Sequence, residues 1–246
     1  MLALPIVLYF RFMHSLLRKN YEYWNHERSL SALLIYLAIA LFTWIPLAEY
    51  ATEWWSFIIT DVLFNLIILA GIFSVLTRWR KQLFFLAVAL LATVVRLLAF
   101  TTQSDRLQFL SYCLAIVFFY LLGRMVLRHI FKEGPVNFYR IQGSIVIFMM
   151  VGMVYANLYA IVEFLIPGSF ASTQVGSHFA PVFSQFLYFS FVTMTTLGFG
   201  DLIPIGAFAK SLAVFQGMFG LLYPVVMIAR LISMEVAHSA SLRKND

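Results

Sequence analysis

Between positions 195 and 201 the chain reads Thr-Thr-Leu-Gly-Phe-Gly-Asp, a stretch whose chemistry resides in its backbone. Gly198 and Gly200 tolerate positive φ, where a residue with a Cβ would be strained. Successive carbonyls can therefore point the same way and offer a row of oxygen dipoles to a dehydrated cation. No metal-ligand cluster and no nucleophile constellation accompanies this stretch in the sequence, so no enzymatic activity is expected.

Carbonyl dipoles replace a hydration shell only where water is scarce, and the rest of the chain supplies that setting. Of 246 residues, 62% are hydrophobic and only 11% charged, with a mean hydropathy of +0.88; such a chain has lipid as its main solvent. A membrane-crossing helix needs about 20 predominantly apolar residues. Six runs meet that requirement: 30–48, 56–76, 83–100, 107–127, 137–166 and 207–236. Between the last two, 181–195 would form a helix about 22 Å long, too short to cross, and reads as a re-entrant helix leading into the carbonyl row. Pro181 suits its first turn, where a missing N–H costs nothing. The C-terminal end of that helix carries partial negative charge and favours a nearby cation. The expected fold is an all-α membrane protein of six transmembrane helices with one re-entrant helix and loop.

Basic residues fix the orientation, because cytoplasmic flanks carry the excess of Lys and Arg. With the N-terminus inside, fourteen of the seventeen basic residues fall on the inner side, and only Arg96, Arg106 and Lys210 lie outward. Both termini are thus expected in the cytoplasm and the loop from 167 to 210 outside, in a multi-pass cell-membrane protein. The net charge of +6 is spread over separate loops with no compact patch, which excludes a nucleic-acid surface and favours anionic lipid as the partner. The single cysteine, Cys113, lies within an apolar run and forms no disulfide within the chain. Residues 1–17 are apolar but interrupted by Pro5 and Arg11; they read as an interfacial helix on the inner leaflet, with a seventh crossing as the alternative.

Residues 195–201, set between two long apolar runs and followed by Asp201, Pro204, Lys210 and Gly220, resemble the selectivity filter of the potassium channel superfamily. The resemblance spans 137–236. Within it, Val192-Thr193-Met194-Thr195-Thr196 is similar to the voltage-gated branch. It implies K+ as the permeant ion and no other cofactor. The ion would bind the carbonyls of Thr196, Leu197, Gly198 and Phe199 and the Thr196 hydroxyl, with Gly200 completing the filter. One loop per chain and four loops per filter imply a homotetramer. The chain then divides into an N-terminal segment (1–28), a four-helix sensor-like domain (29–132), a pore domain (133–236) and a short cytoplasmic tail (237–246).

Departures from the family pattern shape the remaining expectations. Phe199 stands where many relatives have a tyrosine, and Tyr188 and Phe189 stand at two tryptophan positions. These exchanges remove the usual hydrogen-bond donors of the cuff around the filter, leaving apolar packing, with Thr195 beside it, to hold the filter less rigidly. Asp201, deprived of its partner, would turn its carboxylate to water and form a ring of four charges at the outer mouth, or act as a plain solvated carboxylate. Glu163, near the outer end of run 137–166, matches a glutamate that accepts backbone N–H groups of the pore loop; a simple interfacial carboxylate is the alternative. Gly220 matches a hinge glycine and Pro224 follows it by four residues, although a small residue also permits close helix packing. His178 in the outer loop is either a pH sensor or merely solvated.

The four-helix part lacks the property that would make it a voltage sensor. Run 107–127 carries no arginine before Arg124, while each charge moved across 100 mV contributes about 2.3 kcal/mol. Conduction is therefore expected to depend weakly, if at all, on voltage. An ion pair between Asp61 and Arg96 is expected near the outer surface. Other classes fit parts of the sequence: a transporter with channel-like loops, which would carry four related loops in one chain; a membrane enzyme, which no metal cluster or nucleophile constellation supports; and a modulator of other channels, which would not need an intact filter.

Overall fold

A computed structural model of the chain describes residues 30–43, 46, 79–131, 137–172 and 183–243. The 1–28 segment, run 56–76, Asp61, His178 and Pro181 lie outside these residues. The described chain forms helices α1 (Leu30–Thr43), α2 (Trp79–Thr102), α3 (Asp105–Ile130) and α4 (Phe138–Leu165), strand β1 (Phe170–Ser172), helix α5 (Phe183–Met194), strand β2 (Leu202–Pro204) and helix α6 (Ala207–Arg243). Among them α2, α3, α4 and α6 are long and apolar enough to cross a membrane, matching four of the six expected runs. Helix α1 occupies the first part of a fifth.

Local sequence explains where α4 begins and ends. Asn137 has extended backbone and accepts the Arg140 N–H on its side chain at 3.2 Å, satisfying one of the orphan donors of a helix start. The helix stops at Leu165, two residues before Pro167, because the residue preceding proline is disfavoured in helical conformation.

Packing among α1, α3 and α4 follows helical periodicity. Leu30, Leu33, Leu37 and Ala40 of α1 are buried, and their spacing places them on one stripe. They share a core with Phe118, Leu122 and Val126 of α3, Val146 and Met150 of α4, and Leu187 of α5. Gly143 lets α4 approach α3 closely, since a Cβ there would sit 2.9 Å from Ile130 Cγ1. Ser31 Oγ adds one polar tie, donating to Gln142 Oε1 at 2.7 Å. Large apolar side chains elsewhere face outward: Leu83, Phe84, Leu90 and Leu91 on α2, and Val214, Phe215, Met218, Leu221, Leu222 and Val225 on α6. In water such faces would be a liability; in lipid, or against other subunits, they are not.

The all-α expectation needs one correction. Phe170–Ser172 and Leu202–Pro204 pair as a two-stranded antiparallel ribbon with Phe170 opposite Pro204, Ala171 opposite Ile203 and Ser172 opposite Leu202. Ser169 extends the tie, its carbonyl accepting N–H groups from Ile205 at 2.7 Å and Gly206 at 3.0 Å. The ribbon closes the loop on both sides of α5. A small aromatic core formed by Tyr159, Phe170, Phe186 and Phe189, with Leu202 and Ala209, holds it.

Candidate functional site

Helix α5 covers most of the expected re-entrant segment, and the manner of its ending sets up the loop. Leu197 N–H bonds to the Val192 carbonyl at 2.9 Å and Thr196 N–H to the Thr193 carbonyl at 3.1 Å, the paired bonds of a Schellman cap. That cap places Thr196 in the left-handed position usually given to glycine, with φ +60°. A β-branched residue there stores strain on the order of 1–3 kcal/mol, which the two cap bonds must offset. Thr195 contributes by donating its hydroxyl to the Phe191 carbonyl at 2.7 Å.

Beyond the cap, φ is positive at Thr196 (+60°), Gly198 (+55°) and Gly200 (+77°), while Leu197 and Phe199 are not among the positive-φ residues. Such alternation turns successive peptide planes so that N–H groups gather on one side, which sends the carbonyls to the other. A Cβ at Gly198 or Gly200 would meet nothing within 4 Å, so glycine is required for its backbone conformation and not for space. The loop thus has the geometry for lining up oxygen dipoles, directly after the negative end of a helix. The Leu197 and Phe199 side chains are exposed in the single chain.

The expectation that the cuff loses its donors is overturned. Tyr188 Oη donates to Asp201 Oδ2 at 2.8 Å, and Asp201 Oδ1 accepts its neighbour's N–H from Leu202 at 3.0 Å. Asp201 is therefore half-buried and engaged, not turned to water. The phenol of Tyr188 takes over the reach an indole would have, because its hydroxyl lies at the tip of a long rigid ring. The same ring stacks on Phe199 at 6.5 Å and 11°. Burial, and after it the hydrogen bond and charge of Asp201, push the Tyr188 phenol up to about 12 from its ordinary 10.0, so it keeps its proton across physiological pH. Phe189 turns the other way, into the aromatic core, with its ring 4.9 Å from Tyr159.

Glu163, near the C-terminal end of α4, accepts N–H groups from Gly168 at 2.8 Å and Phe170 at 3.1 Å. Gly168 has φ +82° and turns the chain so that both donors reach one carboxylate. Through Phe170 this carboxylate anchors β1, and through β1 the strand that follows Asp201.

Gly220 lies against the end of α5: a Cβ there would sit 2.8 Å from the Met194 carbonyl carbon and collide with its oxygen. Pro224, inside α6, lacks the N–H that would bond to the Gly220 carbonyl. Close approach and a missing helical bond thus meet at one peptide.

Several polar residues that sequence reasoning missed lie behind the loop. Gln216 and Ser190 are fully buried, as is Tyr159, and they are hydrogen-bonded together across α4, α5 and α6. Tyr223 Oη donates to the Ser144 carbonyl at 2.8 Å, tying α6 to α4. Their signal was available: a glutamine within an otherwise apolar membrane run is costly unless bonded to a partner.

Residues 145–236 match a family model described as ion channel, a span that begins within α4 and includes α5, the loop and most of α6. The match supports an ion channel, and with the long apolar helices it supports a multi-pass protein embedded in a membrane. No curated protein and no solved structure matches the chain.

Proposed function

We propose that the chain is one subunit of a homotetrameric potassium-selective channel, in which Thr196, Leu197, Gly198, Phe199 and Gly200 form the filter and K+ passes without covalent chemistry. The observation that carries the reading is the alternation of positive φ at 196, 198 and 200, beginning at the cap of a helix too short to cross. A carbonyl row on one chain covers one side of an ion; four copies around an axis enclose it. The exposed apolar face of α6, from Val214 to Val225, is consistent with subunits meeting there.

Support for the filter in this reading comes from Glu163, Tyr188, Phe189 and Thr195, with Asp201 at the outer mouth. Opening would use α6, where Gly220 and Pro224 weaken one helical turn. Helix α3 carries basic residues only at Arg106, Arg124, Arg128 and His129, near its two ends, which favours weak voltage dependence. Arg230 of α6 lies over the Phe131 ring beyond the end of α3, 6.0 Å from its centroid, at the side assigned to the cytoplasm, where anionic lipid headgroups are the proposed partners. Both termini lie on that side.

The test is ion flux from liposomes holding the purified protein under a potassium or a sodium gradient. Barium-sensitive flux of potassium that sodium does not replace supports the channel. Flux that requires a co-transported substrate would assign the protein to the transporters.

A further inference from the structure

Gln216 of α6 makes hydrogen bonds whose directions are all determined. Its Nε2 donates to the Ser190 carbonyl at 3.0 Å and to Ser190 Oγ at 2.6 Å. Ser190 Oγ donates onward to the Gly152 carbonyl at 2.7 Å, and Tyr159 Oη donates to Gln216 Oε1. Carbonyls only accept, so the amide cannot be turned round and the serine hydroxyl must accept from it. Gly152 eases this approach: a Cβ there would sit 2.7 Å from the tip of the Phe191 ring, which would have to move aside.

The placement of Ser190 gives the network its consequence. Ser190 lies one helical turn before Met194, the last residue of α5, and Met194 is the residue that Gly220 abuts. Helix α6 therefore grips the final turn of α5 at two points, Gln216 on Ser190 and Gly220 on Met194, each pair four residues apart on its own helix. Side chains at that spacing lie on one face. A leucine at 216 would bury as readily and without the cost of desolvating an amide. What the amide adds is direction, since it fixes both the rotation and the depth of α5 against α6.

We propose that Gln216 is a positioning residue for ion selection: by holding Ser190 it sets the radial position of the filter carbonyls that follow Met194. The inference rests on the pore reading above. Through this contact any movement of α6 reaches the filter as well as the inner end of the pore.

The test uses the full chain in liposomes and reads two quantities, the potassium-to-sodium permeability ratio and the thermal unfolding midpoint. Wild-type protein is the control for the pore reading: if it does not discriminate the two ions, that reading fails and the variants are not needed to say so. In selective wild-type background, Gln216→Leu should lower the ratio about tenfold, the equivalent of one hydrogen bond. The double variant Tyr159→Phe with Gln216→Leu removes the amide and the phenol together, leaving no orphaned donor, so it should unfold close to wild type and yet lose the same selectivity. Ser190→Ala, a milder change, should lower the ratio by roughly threefold. A double variant that folds like wild type and keeps its ratio within about twofold overturns the proposal, as does an unchanged ratio in folded Ser190→Ala or a ratio that falls only where the unfolding midpoint falls with it.

Discussion

Tyr188 and Asp201 stand on opposite sides of the loop 195–200 and are joined by a 2.8 Å hydrogen bond from phenol to carboxylate. The bond ties the middle of the short helix α5 to the first residue beyond the carbonyl row, while the same phenol ring stacks on Phe199 within the row. One side chain thus braces the loop at two places.

Removing the hydroxyl should loosen the filter without emptying the site. A bond to a charged acceptor contributes about 1.5–3 kcal/mol, less where it is partly exposed. Tyr188→Phe should therefore shorten open bursts by about tenfold and make open probability rise with external potassium. Recordings in which wild type and variant respond identically to external potassium would count against this brace.

The pH dependence follows from the phenol. Its pKa is raised on folding, so the stabilisation it contributes is fully present below the unfolded value of about 10 and fades as pH climbs toward 12. The difference between wild type and Tyr188→Phe should therefore stay constant from roughly pH 6 to 9. A difference that disappears within that window would show that another titrating group controls the bond.

Asp201→Asn keeps an oxygen that can accept from Tyr188 but removes the charge. Because Asp201 is engaged and half-buried, the conductance loss at low ionic strength should be modest, less than about twofold, with open bursts shortened more clearly. A large, salt-sensitive loss of conductance would restore the picture of a freely solvated ring.

Much of this was legible in the sequence, and the boundary has physical causes. The backbone of the loop was readable at Gly198 and Gly200, where positive φ favours glycine, and the apolar runs because lipid demands length and hydrophobicity together. The acceptor role implied for Glu163 corresponds to two backbone bonds in the structure. The ribbon between Phe170–Ser172 and Leu202–Pro204 was not readable, since strands of three residues show no period and their pairing spans the whole of α5. The donor role of Tyr188 is not legible from the residue type it replaces, because it depends on where a hydroxyl at that ring tip reaches. Thr196 at positive φ was hidden for a related reason: a helix cap imposed the conformation that its own side chain disfavours.

Glu163→Gln tests the anchor of the segment from Gly168 to Phe170. An amide can accept one backbone N–H but turns its own N–H2 toward the other, so one charge-assisted bond is lost and a donor faces a donor. The expected cost is about 1–3 kcal/mol, seen as a lower thermal unfolding midpoint and briefer openings. An unfolding midpoint equal to wild type would show that the carboxylate bonds add nothing net.

Gly220→Ala should be more severe than a helix-favouring exchange would suggest. The added methyl would drive into the Met194 carbonyl, and overpacking of this kind costs about 1–3 kcal/mol. Loss of flux together with a lower unfolding midpoint is expected; a variant that conducts normally and is more stable would mean that α6 does not approach α5 in the working protein.

The central claim is that residues 196–200 select potassium, and the reversal potential of single channels with potassium on one side and sodium on the other tests it most directly. The account predicts current that reverses far from zero, toward the potassium equilibrium potential, and a shift back toward zero when Gly198 is replaced by alanine. Channels that reverse near zero in the wild type would contradict it.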